Sequence, residues 1–144
     1  MKRKLVAEAV RARENSYCKY SQFAVGAALL TTDGTIYRGA NVENASFGLT
    51  NCAERSAFFA AVSDGKRSFE AIAIAGGPFG QKTGQLCAPC GACRQVMAEF
   101  GDPNKFLVLL GTESGYYEEK TIEELLPGSF GKEMQAGTSE AANE

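Results

Sequence analysis

Two short segments hold the reactive side chains of this chain: Asn51-Cys52-Ala53-Glu54-Arg55 and Cys87-Ala88-Pro89-Cys90-Gly91-Ala92-Cys93-Arg94-Gln95. Cys90 and Cys93 are three apart, so on a helix both sulfurs lie on one face and can reach one ion. Cys52 opens another helix-forming run and supplies a third sulfur if the two helix starts abut. A helix N-terminus favours thiolate through its partial positive charge. Three protein ligands leave a fourth tetrahedral position open, the arrangement of catalytic rather than structural zinc. Glu54 follows Cys52 by two residues, a rotation of about 200° at 3.6 residues per turn. Mid-helix the two would diverge. With Cys52 at the cap, Glu54 can lean over the open position without ligating.

Spacing alone leaves an alternative. Cys87, Cys90 and Cys93 also read as C-x2-C-x2-C, the start of an iron–sulfur run. With Cys52 as a fourth sulfur, a cluster or a closed structural zinc site fits the same residues. Pro89 and the helix it opens argue against this, because they leave Cys87 in the preceding loop. Cys18 reads as a small loop or core residue.

The chain has no histidine. That removes the usual general base, the Ser-His and Cys-His pairs and the commonest metal ligand. Acid–base chemistry near neutral pH then falls to a carboxylate, Lys, Tyr, Cys or a metal-activated water. The five cysteines are an odd number, and three lie within seven residues, which reads as metal or redox chemistry before disulfides.

At 144 residues and 44% apolar content the chain fits one globular domain. Fifteen basic and 17 acidic residues leave a net charge of −2, which argues against a polyanion-binding surface and so against nucleic acid. The basic-rich first 13 residues read as a solvated helix face. No run approaches a membrane span, and Glu8, Arg11, Arg13 and Glu14 interrupt any signal-peptide apolar region. A cytoplasmic protein is expected.

The elements that must position these residues follow from periodicity. Residues 3–15 place Leu5, Val6, Ala9, Val10 and Ala12 mostly on one helical face. Residues 17–23 read as loop. Residues 24–31 and 35–39 read as strands joined by Thr32-Asp33-Gly34, since Asp-Gly is a strong hairpin signal. Residues 41–45 continue as loop, and 52–62 form a helix that stops before Gly65. Residues 69–75 read as a buried strand and 76–86 as a Gly-rich loop. Pro89, favoured at a first helical position, opens a helix over 90–100. Strands are expected at 105–111 and 116–120. Thr121 and Glu124 match a capping box for a last short helix ended by Pro127-Gly128. The order α-β-β-α-β-α-β-β-α predicts an α/β fold, a mixed sheet of about five strands between helical layers: an α-β-α three-layer sandwich. The domain is expected to cover 1–131, with a disordered tail over 132–144.

The pattern C-A-E … P-C-x-x-C resembles the zinc nucleoside and nucleobase deaminases. FAVGAALLTTDGTIYRGANVENASFGLTNCAER, PCGACRQV and TIEELLPGSF narrow the match to cytidine deaminases of the small, three-cysteine, homotetrameric type, over about residues 1–131. The resemblance implies one zinc ion per subunit on Cys52, Cys90 and Cys93, with Glu54 as proton shuttle. It implies that Asn41 and Glu43 bind ribose hydroxyls, that Phe23 lines the nucleoside pocket and that the Ala53 amide holds the pyrimidine carbonyl. Phe47 and Phe130 match aromatics that reach a neighbouring subunit's site; the family more often has Tyr where Phe47 stands, so stacking is kept and a hydroxyl is lost. Arg55 matches a residue that hydrogen-bonds the thiolates, countering the excess negative charge of three sulfurs on one zinc. The expected activity is hydrolytic deamination of cytidine and deoxycytidine in pyrimidine salvage. The competing readings are a deaminase of the same fold for another substrate, such as a blasticidin S-like aminonucleoside, and a non-enzymatic four-cysteine metal module.

Overall fold

The computed structural model describes residues 1–131; the expected tail over 132–144 lies outside them. Helix α1 (Lys2–Ala12) runs into a 3-10 turn at Arg13–Asn15, followed by strands β1 (Phe23–Thr31) and β2 (Ile36–Ala40). Helix α2 (Ala53–Ser63), strand β3 (Phe69–Pro78), helix α3 (Gly91–Phe100), strands β4 (Leu107–Gly111) and β5 (Tyr117–Thr121) and the short helix α4 (Ile122–Leu125) complete the chain. The sheet order is β2-β1-β3-β4-β5, with β3 and β4 parallel and the other pairs antiparallel. The expected mixed five-stranded sheet between helical layers is therefore present.

The two sheet faces are packed by different side chains, as alternation along a strand requires. Ala28, Leu30, Ala71, Ala73, Ala75 and Leu109 meet Leu5, Val6 and Ala9 of α1. Leu29, Ile72, Ile74, Val108 and Leu110 face the other way, into a core with Phe58 of α2, Met97 of α3 and Ile122 of α4.

The hairpin and the capping box form as expected. Gly34 has a φ of 91° between β1 and β2, and Thr121 and Glu124 exchange both bonds of the box. Three details differ from the sequence reading. Strand β3 continues through Gly76 and Gly77 to Pro78 because β1 pairs with it out to Phe23. Pro89 lies just before the cap of α3, since Cys90 itself takes the cap. Arg13 is not on a solvated face: it is only 6% exposed. Its guanidinium donates to the carbonyls of Ala24 (2.9 Å), Gln81 (3.0 Å) and Pro78 (3.1 Å), tying the end of α1 to β1 and the turn after β3.

Candidate metal and catalytic site

Cys52 is the N-cap of α2 and Cys90 the N-cap of α3, and neither sulfur caps its own helix. Ser, Thr, Asp or Asn at these positions would favour each helix by about 1 kcal/mol. The sulfurs instead meet each other. Cys52 Sγ lies 3.8 Å from Cys90 Sγ, and Cys90 Sγ lies 3.5 Å from Cys93 Sγ. Among the described residues these three form the one cluster of potential metal ligands, with all ligand atoms within 4.8 Å of one another. A tetrahedral zinc with Zn–S near 2.3 Å spaces its sulfurs by about 3.8 Å, so the Cys52–Cys90 and Cys90–Cys93 spacings suit a thiolate-bound zinc. Cys87 stands outside the cluster. No disulfide joins any of the five cysteines.

Gly39 explains how α2 reaches this position. A Cβ there would lie 2.4 Å from the Ala53 carbonyl oxygen and 2.5 Å from the Ala57 amide nitrogen. The first turn of α2 thus presses directly on the backbone of β2. Ala53, fully buried as the first residue of α2, keeps an amide that no intrahelical carbonyl can accept.

The electrostatics follow from the same geometry. A hydrogen bond from the Cys93 thiol, joined by the Arg55 guanidinium, holds Cys52 at about 5, well below an ordinary thiol. That same bond, burial and the nearby Glu54 push Cys93 up. Arg55 Nη2 donates to Cys52 Sγ at 3.2 Å, and its Nε is buried with no hydrogen-bond partner among the described residues. Glu54 is 4% exposed, and burial raises its pKa above the usual carboxylate value. Burial and the Glu54 charge push Cys87 up to about 11, so it stays a thiol.

Beside Cys87 opens a cavity of about 460 Å3, lined in part by Phe23, Gly76, Thr83 and Leu86. A Cβ on Gly76 would lie 2.8 Å from Cys87 Sγ and 3.1 Å from a ring carbon of Phe23, so glycine is what lets the thiol and the aromatic close on the strand. A larger cavity of about 610 Å3, between α1 and residues 79–82, contains none of the candidate site residues.

Asn41 and Glu43 face inward, 8% and 9% exposed, while Val42 between them is 50% exposed. Val42 exchanges backbone bonds with Asn51, the residue before Cys52, and so ties this segment to the sulfur cluster. Asn41 Oδ1 accepts from the Val25 amide and the Ser16 hydroxyl, and Asn41 Nδ2 donates to the Phe23 carbonyl at 2.9 Å. Glu43 accepts from the Tyr20 and Ser21 amides, each at 3.0 Å, and from the Ser21 hydroxyl. Sequence reasoning did not pick out Ser16 or Ser21, because a loop serine carries no spacing signal. Phe47 and Phe130 are 73% and 60% exposed and lie at the surface of this single chain.

The family model of the cytidine and deoxycytidylate deaminase zinc-binding region matches residues 1–109. The chain belongs to this deaminase family. A cytidine deaminase from Sporosarcina psychrophila is 54% identical over 130 residues, covering 90% of this chain and 91% of that protein. The crystal structure of a cytidine deaminase from Burkholderia pseudomallei superposes with a TM-score of 0.80 at 48% identity, covering 88% of this chain and 97% of that one. A blasticidin-S deaminase from Bacillus cereus is more distant, at 32% identity over 72% of this chain and 74% of its own length. These likenesses place the chain among zinc-binding deaminases and favour an enzyme over a non-enzymatic metal module.

Proposed function

We propose that this deaminase hydrolyses cytidine and 2′-deoxycytidine to uridine and 2′-deoxyuridine, releasing ammonia, in pyrimidine salvage in the cytoplasm. The observation that carries the reading is the meeting of three sulfurs at the start of α2, whose first turn carries the buried carboxylate of Glu54. Cys52, Cys90 and Cys93 would hold one zinc ion per subunit. Zinc bound there supplies the Lewis acidity that lets water add to ring C4 near neutral pH.

Glu54 is the proton carrier. Its raised proton affinity suits a group that accepts a proton from the attacking water, delivers one to ring N3 and then one to the departing amino group. A C–O bond forms and the C–N bond breaks; of the water's two protons, one ends on ring N3 of the product and the other leaves with ammonia. Arg55 offsets the charge of the sulfurs through Cys52. The free Ala53 amide suits the pyrimidine carbonyl, and Phe23 suits the base as a wall of the cavity.

Asn41 and Glu43 suit a hydroxyl-bearing sugar. Asn41 has one N–H left after its bond to Phe23, and Glu43 has one lone pair left after its three. A hydroxyl accepts from the first and donates to the second. This pair favours a ribose-bearing nucleoside over a substrate lacking those hydroxyls. The exposed Phe47, Leu49 and Phe130 support a homotetramer in which aromatics of one subunit complete the site of another.

Mixing the protein with cytidine and following ultraviolet absorbance tests the activity. Conversion to the spectrum of uridine with release of ammonia is expected. An unchanged spectrum with zinc loaded would refute it.

A further inference from the structure

The loop before β1 makes the bonds that fix Glu43, and Ser21 is its centre. The Ser21 amide donates to Glu43 Oε1 at 3.0 Å, and the Ser21 hydroxyl donates to Oε2. The same hydroxyl oxygen accepts from the Phe23 amide at 3.0 Å. That second bond matters, because a hydroxyl otherwise rotates freely. With its oxygen engaged by Phe23, its proton is directed at Glu43.

The backbone is bent to achieve this. Gln22, between Ser21 and Phe23, has a φ of 60°, a left-handed conformation that non-glycine residues rarely adopt. It is held there from three sides. The Gln22 amide donates to the Cys18 carbonyl at 2.8 Å, its side chain donates to the Lys19 carbonyl at 3.0 Å, and its own carbonyl accepts from the Phe79 amide at 2.7 Å. Relaxation of Gln22 would swing Ser21 off Glu43 or Phe23 off the cavity wall.

We propose that Ser21 is a positioning residue for sugar recognition: its hydroxyl locks the Glu43 carboxylate so that one lone pair faces the substrate. The proposal rests on the assignment of Glu43 as a sugar ligand. Three donors occupy three of the roughly four acceptor directions of a carboxylate. Without the Ser21 hydroxyl, Oε2 is free to turn and to bind water, and the bond to substrate must be made against that freedom. The chemical steps at Cys52, Glu54 and Cys90 do not involve Ser21, so binding is affected and turnover is not.

The test is steady-state kinetics on the zinc-loaded enzyme with cytidine and with 2′,3′-dideoxycytidine, which lacks the ring hydroxyls. Ser21→Ala is expected to raise KM for cytidine about tenfold, the scale of one hydrogen bond to a charged group, with kcat within about twofold. On 2′,3′-dideoxycytidine it is expected to change kcat/KM by less than about twofold, and in a Glu43→Ala background to add nothing to the cytidine loss. Ser21→Thr, which keeps the hydroxyl, is expected to restore most of the affinity. Ser21→Cys serves if the alanine variant folds poorly, and is expected to behave like it. Equal losses on both substrates, or additive losses with Glu43→Ala, would overturn the proposal by showing that Ser21 acts through the fold. If Glu43→Ala itself leaves KM for cytidine unchanged, the sugar-ligand assignment fails first and the role of Ser21 fails with it.

Discussion

Cys52 Sγ and Cys90 Sγ lie 3.8 Å apart although 38 residues separate them, and each residue is the N-cap of its helix. Two helix starts therefore converge on one point with their amide ends toward it. A cation alone would be repelled there by both dipoles; thiolates are stabilised by them and then attract the cation. The sulfurs take the place of conventional caps, so a metal bound by them would be part of what holds α2 against α3.

Cys90→Ala is expected to lose zinc and to lower the melting temperature of the holoprotein, because both helix ends lose their clamp. Cys87→Ser is expected to keep both zinc and activity, since Cys87 lies outside the sulfur cluster. Metal analysis and thermal melts of the two variants check this. Loss of zinc from Cys87→Ser would show a site closed by four sulfurs.

Gly39→Ala is expected to be severely destabilising, because the new methyl would meet the backbone of Ala53 and Ala57 rather than a flexible side chain. A loss of about 1–3 kcal/mol is typical of such overpacking, and zinc affinity should fall with it as α2 is pushed outward. Gly84→Ala, where a Cβ meets nothing within 4 Å, is the control. A Gly39→Ala protein with unchanged melting and zinc content would refute the close-contact account of how Cys52 is placed.

Glu43 is held below its ordinary carboxylate value by the Ser21 hydroxyl and amide, helped by the Tyr20 amide. Its ionised form is therefore favoured by folding. The associated stability is fully present above the unfolded-state value and is lost as pH falls through the depressed folded value. Over the range from about pH 7 to 5, both above the ordinary Glu value near 4.3, Glu43 stays charged and the Kd of the product uridine should be flat. A Kd that rises over this range in wild type but not in Glu43→Gln would contradict the depressed value.

Truncation after Pro127 is expected to cost activity out of proportion to stability. The segment removed carries Phe130, whose carbonyl accepts from Gln95 Nε2 at 2.7 Å and whose ring is exposed on the single chain. Light scattering of the full chain should give four subunits. A fully active monomer would rule out sites completed across subunits.

Local signals carried most of the fold. Asp33-Gly34 and the Thr121–Glu124 box each depend on contacts within a few residues, and both form as their sequence implies. The two runs Ala24–Thr31 and Phe69–Ala75 are apolar at nearly every position, Thr31 and Glu70 apart, because helices cover both faces of the central strands. What sequence could not convey is long-range. Arg13 has the type of a surface residue and is buried because carbonyls of residues 24, 78 and 81 converge on it. Gly76 and Gly77 have the type of a loop and become strand because β1 pairs with them. The cysteine cluster was legible because Cys90 and Cys93 are helical neighbours and Cys52 stands at a second helix start. The partners of Asn41 and Glu43 were not, because serines 16 and 21 reach them only through the fold of the loop.

In the proposed reaction Glu54 carries the protons while three cysteines hold the metal. The most direct measurement is zinc content and cytidine turnover on the same preparation of Glu54→Gln. Glutamine keeps the shape of glutamate but cannot accept the water's proton. Turnover is expected to fall by about 10⁴-fold or more, at or beyond the upper end of single acid–base contributions, with zinc content near wild type. Zinc lost together with activity would make Glu54 a ligand. Activity within about tenfold of wild type would assign the proton transfers to another group and contradict the account.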